Sequence, residues 1–353
     1  MIHFLTKRIL YGFLVLLGAV LIVFVLFYIM PVNAARLTLG QRADVASVEA
    51  IEKELGLNLP WYSRIAKYMG EISPIAIHEN TPEEQKRLSY SPLIEFGNSV
   101  LVVKQPYLGR SFQSRKLVMD ILTEKIPSTL VLALVAIVIA TFLGIIFGVI
   151  AAVQHNKLFD HIILPITNIG ISTPSYFTSI VFAYLFGVLL ANITGLNATG
   201  SLLDINDYGD TVIKWKNLIL PAIALGIRPI AIITQLTRSS MLDVLSQDYI
   251  RTASAKGLSF FKVLYKHALR NALNPVVTSI SGWFASLLAG AYFVETIFGY
   301  GGLGSETIRA LQSFDLPVVM GSVLFTAMLF VIINIFVDII YMFLDPRISV
   351  KSA

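Results

Sequence analysis
The 353-residue chain contains no cysteine. Disulfides, thiolate metal sites and cysteine nucleophiles are therefore excluded, and the redox compartment is left open. Charge is scarce as well. Asp, Glu, Lys and Arg make up 14% of the residues, where about 25% is ordinary for a soluble protein, while 56% are hydrophobic and mean hydropathy is +0.74. That balance excludes both a water-soluble globule and a disordered chain, and it places the protein among polytopic membrane proteins. None of the histidines (His3, His78, His155, His161 and His267) falls in a long apolar run, so no intramembrane imidazole offers a metal or proton site. The chain has no internal repeat, no low-complexity tract and no G-x4-G-K-[ST] phosphate loop.

Six apolar stretches are present. The first, about Ile9 to Met30, follows Lys7 and Arg8 and stops at Pro31. It is too long for the apolar part of a cleaved signal and has no small-x-small site behind it, so it reads as an uncleaved anchor. The others are expected at about Thr129 to Val153, Ile162 to Leu190, Leu218 to Leu236, Pro275 to Phe298 and Pro317 to Leu344. Pro165 and Pro174 should kink or break the third. Between the first two stretches, Pro31 to Ile126 holds 12 of the 27 basic and 11 of the 22 acidic residues, the composition of a folded aqueous loop domain. Helices are expected there near Val45 to Leu55 and Trp61 to Gly70, and a short strand at Ser99 to Lys104.

The net charge of +5 follows the membrane, with no nucleic-acid patch. Lys7, Arg8, Lys157, Arg238, Arg251, Lys256, Lys262, Lys266, Arg270, Arg347 and Lys351 lie in segments of one parity. The short segments of the other parity hold only Lys214, Lys216 and Arg309. The positive-inside rule then places both termini in the cytoplasm and the loop domain outside. The expected architecture is an all-α polytopic membrane protein with six transmembrane helices and an external domain between helices 1 and 2. Its parts are residues 1–30, 31–126, a core at 127–345 with a cytoplasmic loop at 237–274, and a tail at 346–353.

Four features invite function. The 237–274 loop reads as helix, then Arg251-Thr252-Ala253-Ser254-Ala255-Lys256-Gly257, then helix. Its small residues permit close approach of another protein, and Gly257 suits a left-handed helix stop. A basic loop lying on anionic headgroups explains the same composition equally well. Arg228, inside the fourth stretch, faces either a wet pathway or a buried carboxylate, that of Glu295, of Asp338 or of a partner subunit, the ion pair being favoured. Glu295 and Asp338 lie near opposite ends of their stretches, which argues for helix pairing rather than a proton relay. Gly144 and Gly148, and Gly282, Ser286 and Gly290, repeat small residues at four-residue steps, as close-packed helices do.

RTASAKGL at 251–258 and HALRNALNP at 267–275 resemble the coupling-loop motif of the integral-membrane subunits of bacterial ABC importers, in the dipeptide/oligopeptide/nickel variant. Arg251 stands where Glu is usual in importers at large, and Gly257 is retained. The opening KRIL, Thr237 to Met241, Glu295 to Phe298, Gly302-Leu303-Gly304, Leu108 to Ser111 and the closing Asn334, Asp338, Tyr341 and Asp345-Pro346-Arg347 resemble the B-type permease subunit of that family. The chain departs from it at Gly301-Gly302, where Pro-Gly is usual, and in an apparent insert at about Ile75 to Tyr107.

The resemblance implies a cytoplasmic-membrane permease that moves peptides by alternating access, or nickel or another small solute on the same architecture. It implies a homologous second permease, two cytoplasmic ATP-binding subunits that hold ATP and magnesium, and an external solute-binding protein. It assigns ATPase coupling to Arg251, Thr252, Ala253, Ser254 and Gly257, and no catalytic residue or cofactor to this chain. An ion-gradient transporter calls for inverted symmetry and midplane carboxylates, and a membrane hydrolase calls for a catalytic grouping; the sequence carries neither.

Overall fold
The computed structural model describes residues 2–29, 59–206 and 208–344. The helix expected near Val45 to Leu55 and the Asp345-Pro346-Arg347 motif lie outside these residues, as does the side chain of Asp338. Four helices are long and apolar enough to cross a membrane, or up to six if each of two bent pairs is one span. Compact packing divides the chain into two units: residues 11–124 with 307–328, and the remainder.

In the first of these units, helix α1 (Ile2–Ile29) leads, after the undescribed segment, to α2 (Trp61–Ile72). A small β-α-β-β unit follows: β1 (Ile75–Glu79), α3 (Pro82–Leu88), β2 (Ser91–Phe96) and β3 (Ser99–Val103). The sheet is antiparallel with order β1-β3-β2, pairing Ile77 with Leu101 and Ile94 with Leu101. The expected all-α class therefore holds for the apolar part only. Of these strands only β3 was expected, because β1 and β2 are short and sit among Pro74, Pro82 and Pro92. Local chemistry sets α3. Thr81 accepts the Glu84 N–H at 3.3 Å, Pro82 takes the first turn beside Glu83 and Glu84, Lys86 and Arg87 close the last turn, and left-handed Ser89 stops the helix.

One face of the sheet buries Val100 and Val102 against Leu88 and Tyr90. Beside it, Arg87 bridges Glu71 at 2.8 Å and Glu84 at 2.6 Å and lies over the Tyr107 ring, while Lys104 donates to the Glu71 carbonyl. His78, nearly buried, stacks on Tyr90. Burial holds its imidazole below the ordinary value of 6.5, assisted by Lys104 and opposed by Glu84.

The second unit holds the apolar bundle. Helix α4 (Val118–Val153) starts well before the expected Thr129, because Pro127 is accommodated in its interior. The third stretch breaks as expected at Thr173-Pro174, giving α5 (Leu158–Ser172) and α6 (Ser175–Tyr184), which continues in a wide π turn, Leu185–Leu189. The bend is 111°. Pro174 forces Thr173 into extended backbone, and the Thr173 N–H and hydroxyl both return to the Ile169 carbonyl. After the hairpin β4 (Leu203–Ile205) and β5 (Thr211–Ile213) come α7 (Lys216–Leu245) and α8 (Asp248–Ala255). Then Phe260–Lys262 and a π segment, Val263–Leu269, run into α9 (Arg270–Phe298). The segment 240–245, expected as a separate helix, is the end of α7. Helices α10 (Leu303–Gln312) and α11 (Leu316–Leu344), whose residues 307–328 belong to the first unit, complete the chain.

The core of the bundle joins Leu132, Ala133 and Ala136 of α4 to Leu225 of α7 and Leu287, Ala291 and Val294 of α9. Helices α4 and α7 meet at backbone distance. A Cβ on Gly144 would stand 2.7 Å from Ile233, and one on Gly148 would stand 2.5 Å from Thr237 and 2.7 Å from the Thr234 carbonyl. Gly282 on α9 is the opposite case, with nothing within 4 Å of its Cβ position.

Gly148→Val should therefore destabilise the purified chain by about 1–3 kcal/mol or more in a detergent melt, while Gly282→Val should leave the melt of the isolated chain within about 0.5 kcal/mol. His78 gives a second expectation. Its depressed value means that the unfolded chain takes up the proton first, so stability is kept above pH 6.5 and lost as the pH falls below it. Amide exchange in β1 and β3, corrected for intrinsic rate, should be faster at pH 5.5 than at 7.5, and His78→Phe should flatten that difference.

Candidate functional sites: a presented helix and three buried carboxylates
Helix α8 is amphipathic on a small scale. Ile250 and Ala253, three residues apart, share its inner face and enter a cluster with Met241 of α7, Val263, Leu264 and Ala268 of the π segment, and Ala152. Tyr249, Arg251, Thr252, Ser254, Ala255 and Lys256 are exposed. Gly257 follows at φ +75°, the left-handed stop that the sequence suggested, with no atom within 4 Å of its Cβ position. Ala253, one of the expected coupling residues, is buried against the chain's own bundle, where it seats the helix. Phe260, Phe261 and Tyr265 extend the exposed surface with aromatic rings.

Just beyond the same C-terminal end of α4, a clamp appears that the sequence did not announce. Asp160, buried in the first turn of α5, receives Arg238 of α7 in fork geometry, Nε to Oδ1 at 2.6 Å and Nη2 to Oδ2 at 2.7 Å. The Asn156 N–H donates to Oδ2 at 3.0 Å, and His155 Nδ1 lies 3.3 Å from the same oxygen. Arg238 stands in the family-like Thr237 to Met241 string, but its partner is 78 residues away and no local pattern marks it.

Glu295 lies near the end of α9 and is fully buried. It does not pair with Arg228, contrary to expectation. Thr129 Oγ1 donates to its Oε1 at 2.6 Å, and the Ser305 N–H, in the first turn of α10, donates to Oε2 at 3.0 Å. Thr129 in turn accepts the Leu303 N–H at 2.8 Å. The N-terminus of α10 thus supplies the positive end that the carboxylate needs, without a cation. Gly302 and Gly304 make this possible, since a Cβ on either would stand 2.5 Å from the carboxyl carbon or 2.4 Å from the Tyr292 backbone. Arg228 instead is exposed in this chain, with its guanidinium carbon 5.7 Å from the centre of the Trp283 ring.

The third carboxylate, Asp315, precedes α11. It accepts from the Ser111 hydroxyl at 2.5 Å and from the N–H groups of Phe112 at 3.0 Å and Gln113 at 3.4 Å. That contact gives the Leu108 to Ser111 string a structural task. Close by, Gly321 admits Val118 at a distance no Cβ would tolerate. Among the described residues no group of three His, Asp or Glu side chains is placed to hold a metal ion. The Gly282 and Ser286 positions on α9 are exposed, and Gly290 lies outside the described side chains.

Removing one partner of a buried pair leaves the other charge stranded. Asp160→Asn should cost about 3–5 kcal/mol in a detergent melt, and Arg238→Lys should retain only part of the fork, so its loss should be smaller. Glu295→Gln should cost less than Glu295→Ala, because a side-chain oxygen remains to accept from α10.

Residues 144–350 match the family described as the binding-protein-dependent transport system inner membrane component, and residues 1–83 match the N-terminal region described for such membrane components. The dipeptide transport system permease protein DppB of Alkalihalophilus pseudofirmus is 33% identical over 364 residues, covering 99% of this chain and all of that protein. The di/tripeptide transport system permease protein DppB of Pseudomonas aeruginosa is 34% identical over 367 residues, with 99% of each covered. A solved chain of the MetNI methionine ABC transporter, 18% identical, covers 63% of this chain and 95% of its own at a TM-score of 0.49. On the family match and these full-length relatives, the chain belongs to the binding-protein-dependent transport system inner membrane components, the membrane-embedded part of a transporter rather than an enzyme.

Proposed function
We propose that this chain is one permease half of an ATP-driven importer that moves di- or oligopeptides across the bacterial cytoplasmic membrane. Two similar proteins that span essentially its whole length carry dipeptide and di/tripeptide transport in their names. In this reading each bent pair of helices is one span, giving six, and the excess of Lys and Arg puts both termini and α8 in the cytoplasm. The loop domain between α1 and α4 then lies outside, where the β-α-β-β unit at 75–103 adds surface for an external solute-binding protein. The Glu295 knot closes the outer end. A homologous second permease faces the exposed Gly282 and Ser286 ridge across the pathway and completes it.

The single observation that carries the coupling role is the presentation of α8. It is fixed to the bundle through Ile250 and Ala253 and turns Arg251, Thr252 and Ser254 outward, ending at the open left-handed Gly257. Two cytoplasmic ATP-binding subunits bind ATP and magnesium, and closure of their dimer reaches this chain as a push or pull on α8. Because α8 is packed on the ends of α7 and α9, that displacement passes into two of the three helices that make the core.

Purification of the full chain from native membranes tests this. A protein bearing a G-x4-G-K-[ST] loop should co-purify with the wild type and fall about tenfold or more with Gly257→Arg and with Thr252→Arg at equal membrane expression. The second variant keeps the helical backbone and so separates lost docking from a misshapen loop. If neither wild type nor variants bring down such a protein, the coupling role is wrong.

A further inference from the structure
Arg228 remains to be explained. A guanidinium in a membrane-spanning helix is costly unless it is paired or meets water. Among the described residues no carboxylate pairs with it, and Glu295 is satisfied by Thr129 and Ser305. Its neighbours Leu225, Gly226 and Pro229 are buried, Gly226 lying against the Ala136 carbonyl of α4, so Arg228 projects from the side of α7 that leaves α4. One contact steadies it, the face of Trp283 on α9 at 5.7 Å.

That contact braces the cation without neutralising it. A cation–π contact at this distance holds the guanidinium beside the indole and leaves its N–H donors, whose fork matches a carboxylate. The surroundings are polar on the same side. Seven residues along α7, Gln235 donates to Asn168 at 2.8 Å and to Thr167 at 3.3 Å. On α9, Gly282 beside the Trp ring faces open space and Ser286 is exposed. A braced, unpaired cation on a polar strip in otherwise apolar helices is what a wetted path looks like.

We infer that Arg228, held over the Trp283 ring, binds the C-terminal carboxylate of a peptide as it crosses the membrane. The inference rests on the peptide-importer reading above. The main chain terminus is common to all free peptides whatever their side chains, so one fixed guanidinium recognises the class without selecting a sequence. A cation held by a ring rather than by a counter-charge also releases its ligand without having to re-form a broken ion pair.

The test uses the complete complex in proteoliposomes with saturating binding protein, and compares initial uptake of alanyl-alanine with that of its C-terminal amide. Dividing each variant's rate by the wild-type rate for the same peptide cancels whatever the binding protein prefers. Arg228→Gln should slow the free peptide about tenfold or more relative to the amide, whose uptake should change less than about twofold; Arg228→Lys should fall between. Trp283→Leu should weaken the same discrimination. Equal slowing of both peptides would assign Arg228 to a carboxylate of the second permease and overturn the inference, as would unchanged uptake of both. A wild-type complex that hydrolyses ATP but moves neither peptide would instead remove the peptide reading itself, a failure distinct from a wild type that moves both with a ratio indifferent to Arg228.

Discussion
Backbone N–H groups that no helix can satisfy are the constraint on which this structure turns. Every break between helices exposes several of them, and in a bundle this apolar few side chains are available to accept. The chain answers with carboxylates. Asp160 gathers the Asn156 N–H, Glu295 that of Ser305 at the start of α10, and Asp315 those of Phe112 and Gln113. All three are almost wholly buried. Each acidic group costs desolvation energy, and each offsets it by accepting from donors that would otherwise be stranded.

The three differ in how their charge is balanced. Asp160 has a guanidinium in fork geometry, which makes the contact directional and ties α5 to α7. Glu295 has only a hydroxyl and the positive end of a short helix. Asp315 has a hydroxyl and two amides from the loop that follows Gly109. The pair with full charge compensation joins one helix to another, and the two balanced by dipoles sit where loops meet helix starts. In the proposed transport cycle the second kind is better suited to open and close, since no buried cation is left behind when the contact parts.

Much of the architecture was readable from hydropathy, because long apolar runs fix the existence of spans however they are packed. Thr173-Pro174 announced its own break, and Gly257 its left-handed stop, since both depend on local sterics alone. The strands at 75–79 and 91–96 were missed because each is five or six residues long among prolines, where a punctuated loop gives the same pattern. The inward face of α8 was legible in principle from the spacing of Ile250 and Ala253, but within a run of small residues size alone does not separate the inner face from the outer one. The true partners of Glu295, Asp160 and Arg228 were out of reach, since each is set by contacts between segments far apart in the chain. Trp283 would have been guessed as core, and Thr129 as an ordinary helix residue.

The backbone-to-backbone meeting of α4 and α7 has a consequence for inheritance. Every amino acid other than glycine carries a Cβ, and at Gly148 that atom would collide with Thr237 and the Thr234 carbonyl whatever followed it. No missense change at that codon is therefore conservative, alanine included. Gly282 has no such neighbour, and its replacement would pass unnoticed in the isolated chain. Changes at Gly148 should thus be purged through the fold of this chain alone, and a map of tolerated alleles would trace the fixed seam of the bundle without any measurement on the protein.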